Sequence, residues 1–165
     1  VINFYLLKTG KVNTPMIDSN LSTLSLEAAH KMLKQFEGQE QGQAAEEALK
    51  DEAVRQRLRQ AVAIAASHSD YQILGICSDT WAEGCQALRS YAEALGYLSD
   101  LNMPLQPIEG AVYIKFNPQL GSCYTDAYSG HHRGVLVSCQ SAAAPGINEM
   151  YGHLPLDLFE VAAEQ

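Results

Sequence analysis

The sequence predicts an α+β domain: N-terminal helices, one buried strand and a capped helix, then a three-stranded antiparallel meander. Three observations carry this expectation. Between Leu26 and Leu95 the apolar residues recur mostly at three- and four-residue spacing, the period of helices with one buried face. From Ala111 onward the period falls to two, as in a sheet with one buried and one solvated face. The 165 residues make one domain of ordinary size, and such a chain buries roughly 70% of its unfolded surface without a staple.

The first helix opens at Ser25, whose hydroxyl suits an N-cap, and places Leu26, Ala29, Leu33 and Phe36 on one face. Gly38 to Gly42 reads as a linker. A second helical region runs from about Ala44 to Ser67, with Val54, Leu58, Ala61, Val62 and Ala65 as its stripe. Arg55, Arg57 and Arg59 lie amid Glu46, Glu47, Asp51 and Glu52, which reads as a solvated, salt-bridged face rather than an anion site. Tyr71 to Ser78 is a short, nearly continuous apolar run that suits a buried strand. Thr80-Trp81-Ala82-Glu83 fits a capping box, and Trp81, Cys85, Leu88, Ala92 and Leu95 continue a helical stripe that Gly96 ends.

Three further strands are expected: Ala111–Phe116, Cys123–Tyr128 and Gly134–Gln140, joined by turns at 117–121 and 129–133. If Phe116 faces Cys123, then Ile114 faces Thr125 and Val112 faces Ala127. Continuing the meander sets Ala127 against Val135, Thr125 against Val137 and Cys123 against Cys139. One face then holds only apolar or small residues, and a slip of one residue destroys that separation. The other face carries Tyr113, Lys115, Tyr124, Asp126, Tyr128, Leu136, Ser138 and Gln140. A short helix is expected from Leu156 to Ala163.

Val1 to Pro15 differs from the rest. It holds Lys8, Lys11 and no acid, and shares no periodicity with the remainder of the chain. Our expectation is an early start assignment with Met16 as the native start. Residues 1–15 are then a dispensable, disordered or non-native extension, and residues 16–165 the single α+β domain.

Composition narrows the function. Hydrophobic residues are 47% and charged residues 18%, ordinary for a globular chain. The formal net charge of −8 repels phosphates and anionic lipid, so nucleic acid and membrane insertion are not expected. Cys77, Cys85, Cys123 and Cys139 form no CxxC pair and accompany no secretory signal, which fits a reducing, cytoplasmic setting. Of the familiar nucleotide, nucleophile-elbow, zinc-protease and calcium-loop motifs, none occurs. No cofactor and no metal site are expected.

Two candidate sites remain, from different functional classes. The first is the polar sheet face, where Tyr113, Tyr124, Asp126 and Tyr128 form an aromatic, hydrogen-bonding surface suited to another protein. An ordinary solvent-facing sheet with cross-strand tyrosine pairs is the plainer alternative. The second is an enzyme or metabolite site built on Asp126, His132, Arg133 and His153. There Arg133 binds a small anion, His132 or His153 moves a proton and Asp126 orients an imidazole. A solvated turn is again the plainer reading. Cys77, just before a helix N-terminus, has the setting of a reactive thiol, but burial and Asp79 weigh against it.

The run Gly121-Ser-Cys-Tyr-Thr-Asp-Ala-Tyr-Ser-Gly-His-His-Arg-Gly-Val-Leu-Val-Ser-Cys-Gln-Ser141, with Tyr151-Gly-His-Leu-Pro-Leu-Asp-Leu-Phe159 and Ser69–Cys77, resembles a cyanobacterial domain family of unknown function. The resemblance spans about Leu26 to Phe159. It implies a cytosolic α+β domain and transfers no catalytic residues.

Overall fold

The computed structural model describes residues 24–35, 46–97, 101, 107–127, 133–140 and 148–160, with the backbone alone at 127 and 148–153. The expectations for 1–15, the Gly38–Gly42 linker, Phe36, Tyr128, His131 and His132 lie outside these residues. Helix α1 spans Leu26–Lys34, and Ser25 caps it as expected, its hydroxyl accepting from the Ala28 amide at 3.1 Å. Helix α2 spans Glu52–Ser67. The region expected to be helical from Ala44 is interrupted, because Asp51 accepts from the Ala53 amide at 2.9 Å and starts a new helix there. An N-cap has non-helical backbone, so one residue divides the segment. A single helical turn, 46–48, precedes it among the described residues.

Strand β1 is Tyr71–Ser78 and helix α3 is Trp81–Ala94. The Thr80 hydroxyl caps α3 by accepting from the Glu83 amide at 3.2 Å, and Gly96 comes after it with φ of 83°, a conformation L side chains resist. Strands β2 (Val112–Asn117), β3 (Ser122–Ala127), β4 (Gly134–Gln140) and β5 (Asn148–Leu154) complete one five-stranded sheet. Its order is β3-β2-β1-β4-β5, and every neighbouring pair is antiparallel.

The β2–β3 register is the expected one: Phe116 opposes Cys123, Ile114 opposes Thr125 and Val112 opposes Ala127. The expected β3–β4 pairing does not form. Instead β1 inserts between β2 and β4, with Ile76 opposite both Ile114 and Val135. The reason is burial. The apolar β1 pairs along both its edges at the sheet centre, whereas the polar β3 (SCYTDA) tolerates an edge. Cys123 and Cys139 are thus three strand spacings or more apart, about 14 Å at about 4.8 Å each, and cannot form a cross-strand disulfide. All four cysteines are reduced thiols.

The C-terminal segment holds two further differences. Residues 148–154 form the strand β5, with a bulge opposite Val135/Val137 that hides its alternation from a period-two reading. The expected helix from Leu156 is a turn over 156–159, closed by Leu158 and Glu160 amides donating to Pro155 and Asp157 carbonyls; residues 161–163 lie outside the described set.

The face assignment survives the change of neighbours. Leu74, Ile76, Val112, Ile114, Phe116, Val135, Val137 and Cys139 all enter one core with residues of α1, α2 and α3. Gly84 lets α3 approach closely, since a Cβ there would stand 2.6 Å from Ser78 Oγ and 3.1 Å from Ile114 Cδ1. The Arg55–Arg59 face of α2 is tucked in rather than solvated. Arg59 Nε donates to the Leu158 carbonyl at 2.6 Å and one terminal nitrogen to Glu52 at 2.6 Å. Arg55 donates to the Asp157 carbonyl at 2.8 Å. The Tyr91 hydroxyl adds a bond to the Pro155 carbonyl at 2.6 Å, and its ring meets Phe159 edge to face. These side chains fasten the chain end beneath the helices.

Candidate functional site

Alternation along the strands sends every second residue away from the helices. On that outer face β1 offers Tyr71, Ile73, Gly75 and Cys77, β2 offers Tyr113, Lys115 and Asn117, β3 offers Tyr124 and Asp126, and β4 offers Leu136, Ser138 and Gln140. Among the described residues, none of Tyr71, Ile73, Tyr113 or Leu136 belongs to the hydrophobic core or packs against it. Those four are half-buried, whereas Lys115, Asp126 and Gln140 are exposed and Tyr124 is 60% exposed.

The face has an internal order. The Tyr113 ring lies over Gly75, where a Cβ would come within 3.0 Å of Cε1 and 3.1 Å of the hydroxyl. The bare Gly75 thus leaves room for the Tyr113 ring against the central strand. The Tyr124 hydroxyl donates to Asp126 Oδ2 at 3.4 Å, and Asn117 Nδ2 donates to the Tyr71 hydroxyl at 3.4 Å. Lys115 pairs in register with Tyr124, and Asp126 with Tyr113. Tyr113, Tyr124 and Asp126 therefore share one surface, and Tyr128 lies outside the described residues.

Tyr71, Ile73, Gly75 and Cys77 were absent from the face drawn from sequence, because β1 had no assigned place in the sheet. Its sequence did carry a signal: the nearly continuous apolar run YQILGICS suits the interior of a sheet better than an exposed edge.

The second candidate set is not gathered. Strands β3 and β4, which a hairpin turn at 129–133 was expected to join as neighbours, are separated in the sheet by β2 and β1. Asp126, Tyr113, Cys77 and Gly134 lie on one line across the sheet, so Asp126 and the start of β4 stand about 14 Å apart. His153 lies on β5, the opposite edge from β3, about 19 Å from Asp126 by the same spacing. His132 lies outside the described residues. Arg133 turns to the N-terminus of α3, where its guanidinium bridges Glu83 and reaches Asp79 at 3.6 Å. Two carboxylates there occupy the charge that an anionic ligand needs.

The thiols are poorly suited to nucleophilic work. Cys77 is buried. Burial, and then the neighbouring Cys85 thiol, push Cys123 up from 9.0 to about 11. Burial raises Cys85 as well, against a smaller lowering by Arg89. Since the thiolate is the reactive form, Cys123 in the native protein is expected to alkylate about a hundredfold more slowly at pH 8 than a thiol at 9, a ratio set by the thiolate fractions. Peptide mass spectrometry across a pH series checks this: the Cys123 rate climbs toward pH 11, and a plateau above pH 9 contradicts it. Among the described residues no three His, Cys, Asp or Glu side chains gather to hold a metal ion. No helix among them is long and apolar enough to cross a membrane.

Comparison with known proteins agrees with this fold. An uncharacterized protein from Anabaena variabilis, known from its crystal structure, is similar at 46% sequence identity and a TM-score of 0.68, over 82% of this chain and 99% of that one. No protein of curated function matches. The family match covers residues 31–159, which takes in α1 from its middle, α2, α3 and strands β1 to β5, and on that match the chain belongs to the family described as domain of unknown function DUF1824.

Proposed function

We propose that this domain is a non-enzymatic binding or regulatory protein that recognises another protein through the outer face of its sheet. One observation carries the reading: Tyr71, Ile73, Tyr113 and Leu136 lie on the sheet face turned away from the helices, and among the described residues none of the four joins the core. Apolar and aromatic side chains grouped on one surface, bordered by polar groups, have the composition of an interface centre with its rim. Tyrosine suits the task because it adds contact area and a hydrogen bond at low conformational cost.

The test uses the tagged full chain in an extract of cyanobacterial cells. Three versions are compared: wild type, Tyr124→Ala/Asp126→Ala, and Leu120→Ala on the β2–β3 turn. Leu120 is exposed and off the face, so it controls for surface changes in general. Bound protein is expected to fall at least about tenfold for the double variant, a loss typical of removing an aromatic contact with its polar neighbour. Leu120→Ala is expected to bind like wild type. Equal recovery by all three contradicts the reading.

A further inference from the structure

We propose that the occupant of this face is a second copy of the same chain, packed sheet against sheet about a two-fold axis. The proposal rests on the reading of the face as a recognition surface and names its partner. A two-fold contact sets a patch against itself, so the patch must be self-complementary. For a chain of net charge −8 that condition is severe. The described helices expose charges of both signs, Glu27, Glu52 and Glu93 with Lys31, Lys34 and Arg89, and a two-fold contact there must find an opposite partner for each of them.

The outer face differs. Among its described residues the charged side chains are Lys115 and Asp126, one of each sign. They lie on adjacent strands in neighbouring rows, since Lys115 opposes Tyr124 and Asp126 opposes Tyr113. Such diagonal positions are about 7–8 Å apart. A two-fold axis passing between them sets Lys115 of each copy against Asp126 of the other, so one axis makes two opposite-charge pairs. Tyr71, Ile73, Tyr113 and Leu136 fill the area beside them with uncharged groups.

Area agrees with the charge. Five strands at about 4.8 Å spacing and about 20 Å length give roughly 500 Å² in projection. Side-chain relief brings that toward the ~800 Å² per partner of a standard interface. Two such faces packed about 10 Å apart at the usual small angle form a sandwich with one sheet from each copy.

Sedimentation equilibrium of the full chain, up to about 300 µM where even weak association registers, tests this. Wild type is expected to dimerise. Lys115→Glu and Asp126→Lys are each expected to weaken the dimer about tenfold or more, because each sets like charges together twice. Mixing the two variants is expected to restore association, because both cross pairs are again opposite in sign. The double variant Lys115→Glu/Asp126→Lys is expected to dimerise on its own, which separates a charge effect from damage to the fold. A monomeric wild type overturns the proposal, as does a dimer indifferent to either substitution or a mixture no better than its components. A monomer whose extract partner is lost with Tyr124→Ala/Asp126→Ala overturns the second copy alone. A monomer that captures equally with and without those side chains overturns the recognition reading too.

Discussion

Ile76→Ala is expected to lower stability by about 3–4 kcal/mol, within the range for truncating a large core aliphatic. Ile76 is fully buried in the middle of β1, opposite Ile114 on one side and Val135 on the other. Neither neighbour can move into the space without shifting a strand, so the cavity largely persists. For a domain of this size the midpoint should fall by about 10 °C. Ile73→Ala, three residues earlier on the outer face, should cost only about 1 kcal/mol, because that side chain is half-buried and outside the core. Thermal melts of the two variants measure the difference directly. Equal losses contradict the division of β1 into a core face and an open face.

Arg59→Ala is expected to cost about 2–4 kcal/mol. The side chain is 9% exposed and donates to the Leu158 carbonyl and to Glu52. Removing it strands the carbonyl, worth about 1–3 kcal/mol, and forfeits packing along the aliphatic stem. Glu52 is largely exposed and is rehydrated at little cost, which keeps the figure below that of a fully buried pair. Arg59→Lys should recover only part of the loss, since an ammonium cannot reproduce the fork that reaches both acceptors. Urea denaturation gives the magnitudes, and hydrogen exchange at residues 157–159 should rise in step. A change within about 0.5 kcal/mol, the scatter of ordinary surface substitutions, contradicts the view that α2 fastens the chain end.

The legible parts of the fold were those fixed by local chemistry. Ser25 and Thr80 are small hydroxyl residues before apolar stripes, and both cap helices. The β2–β3 register was readable because a short turn and strict alternation leave one pairing that keeps Val112, Ile114 and Phe116 together. The place of β1 was not, because alternation tells which way a side chain points but not which strand lies beside it. Consecutive strands are neighbours roughly two-thirds of the time, and β3–β4 is an exception. That exception also dispersed the Asp126, Arg133 and His153 set, which depended on a hairpin between β3 and β4. Arg133 finds its partners on α3 instead, a contact between residues 50 apart in sequence that no local pattern announces. The tyrosine face survived for the opposite reason. Parity fixes the face within each strand and the short β2–β3 turn fixes the pairing, so Tyr113, Tyr124 and Asp126 stay together wherever β1 and β4 lie.

The central claim is that the outer face of the sheet is the occupied one when the protein works. Hydroxyl-radical footprinting measures this on the unmodified chain, comparing dilute purified protein with protein at working concentration in cell extract. Oxidation of Tyr113, Tyr124 and Leu136 should fall severalfold in the extract, while exposed Leu120 and the solvent side of α3 at Ala82, Gln86 and Arg89 keep their dilute rates. Protection confined to the helices, or none at the three sheet residues, contradicts the account.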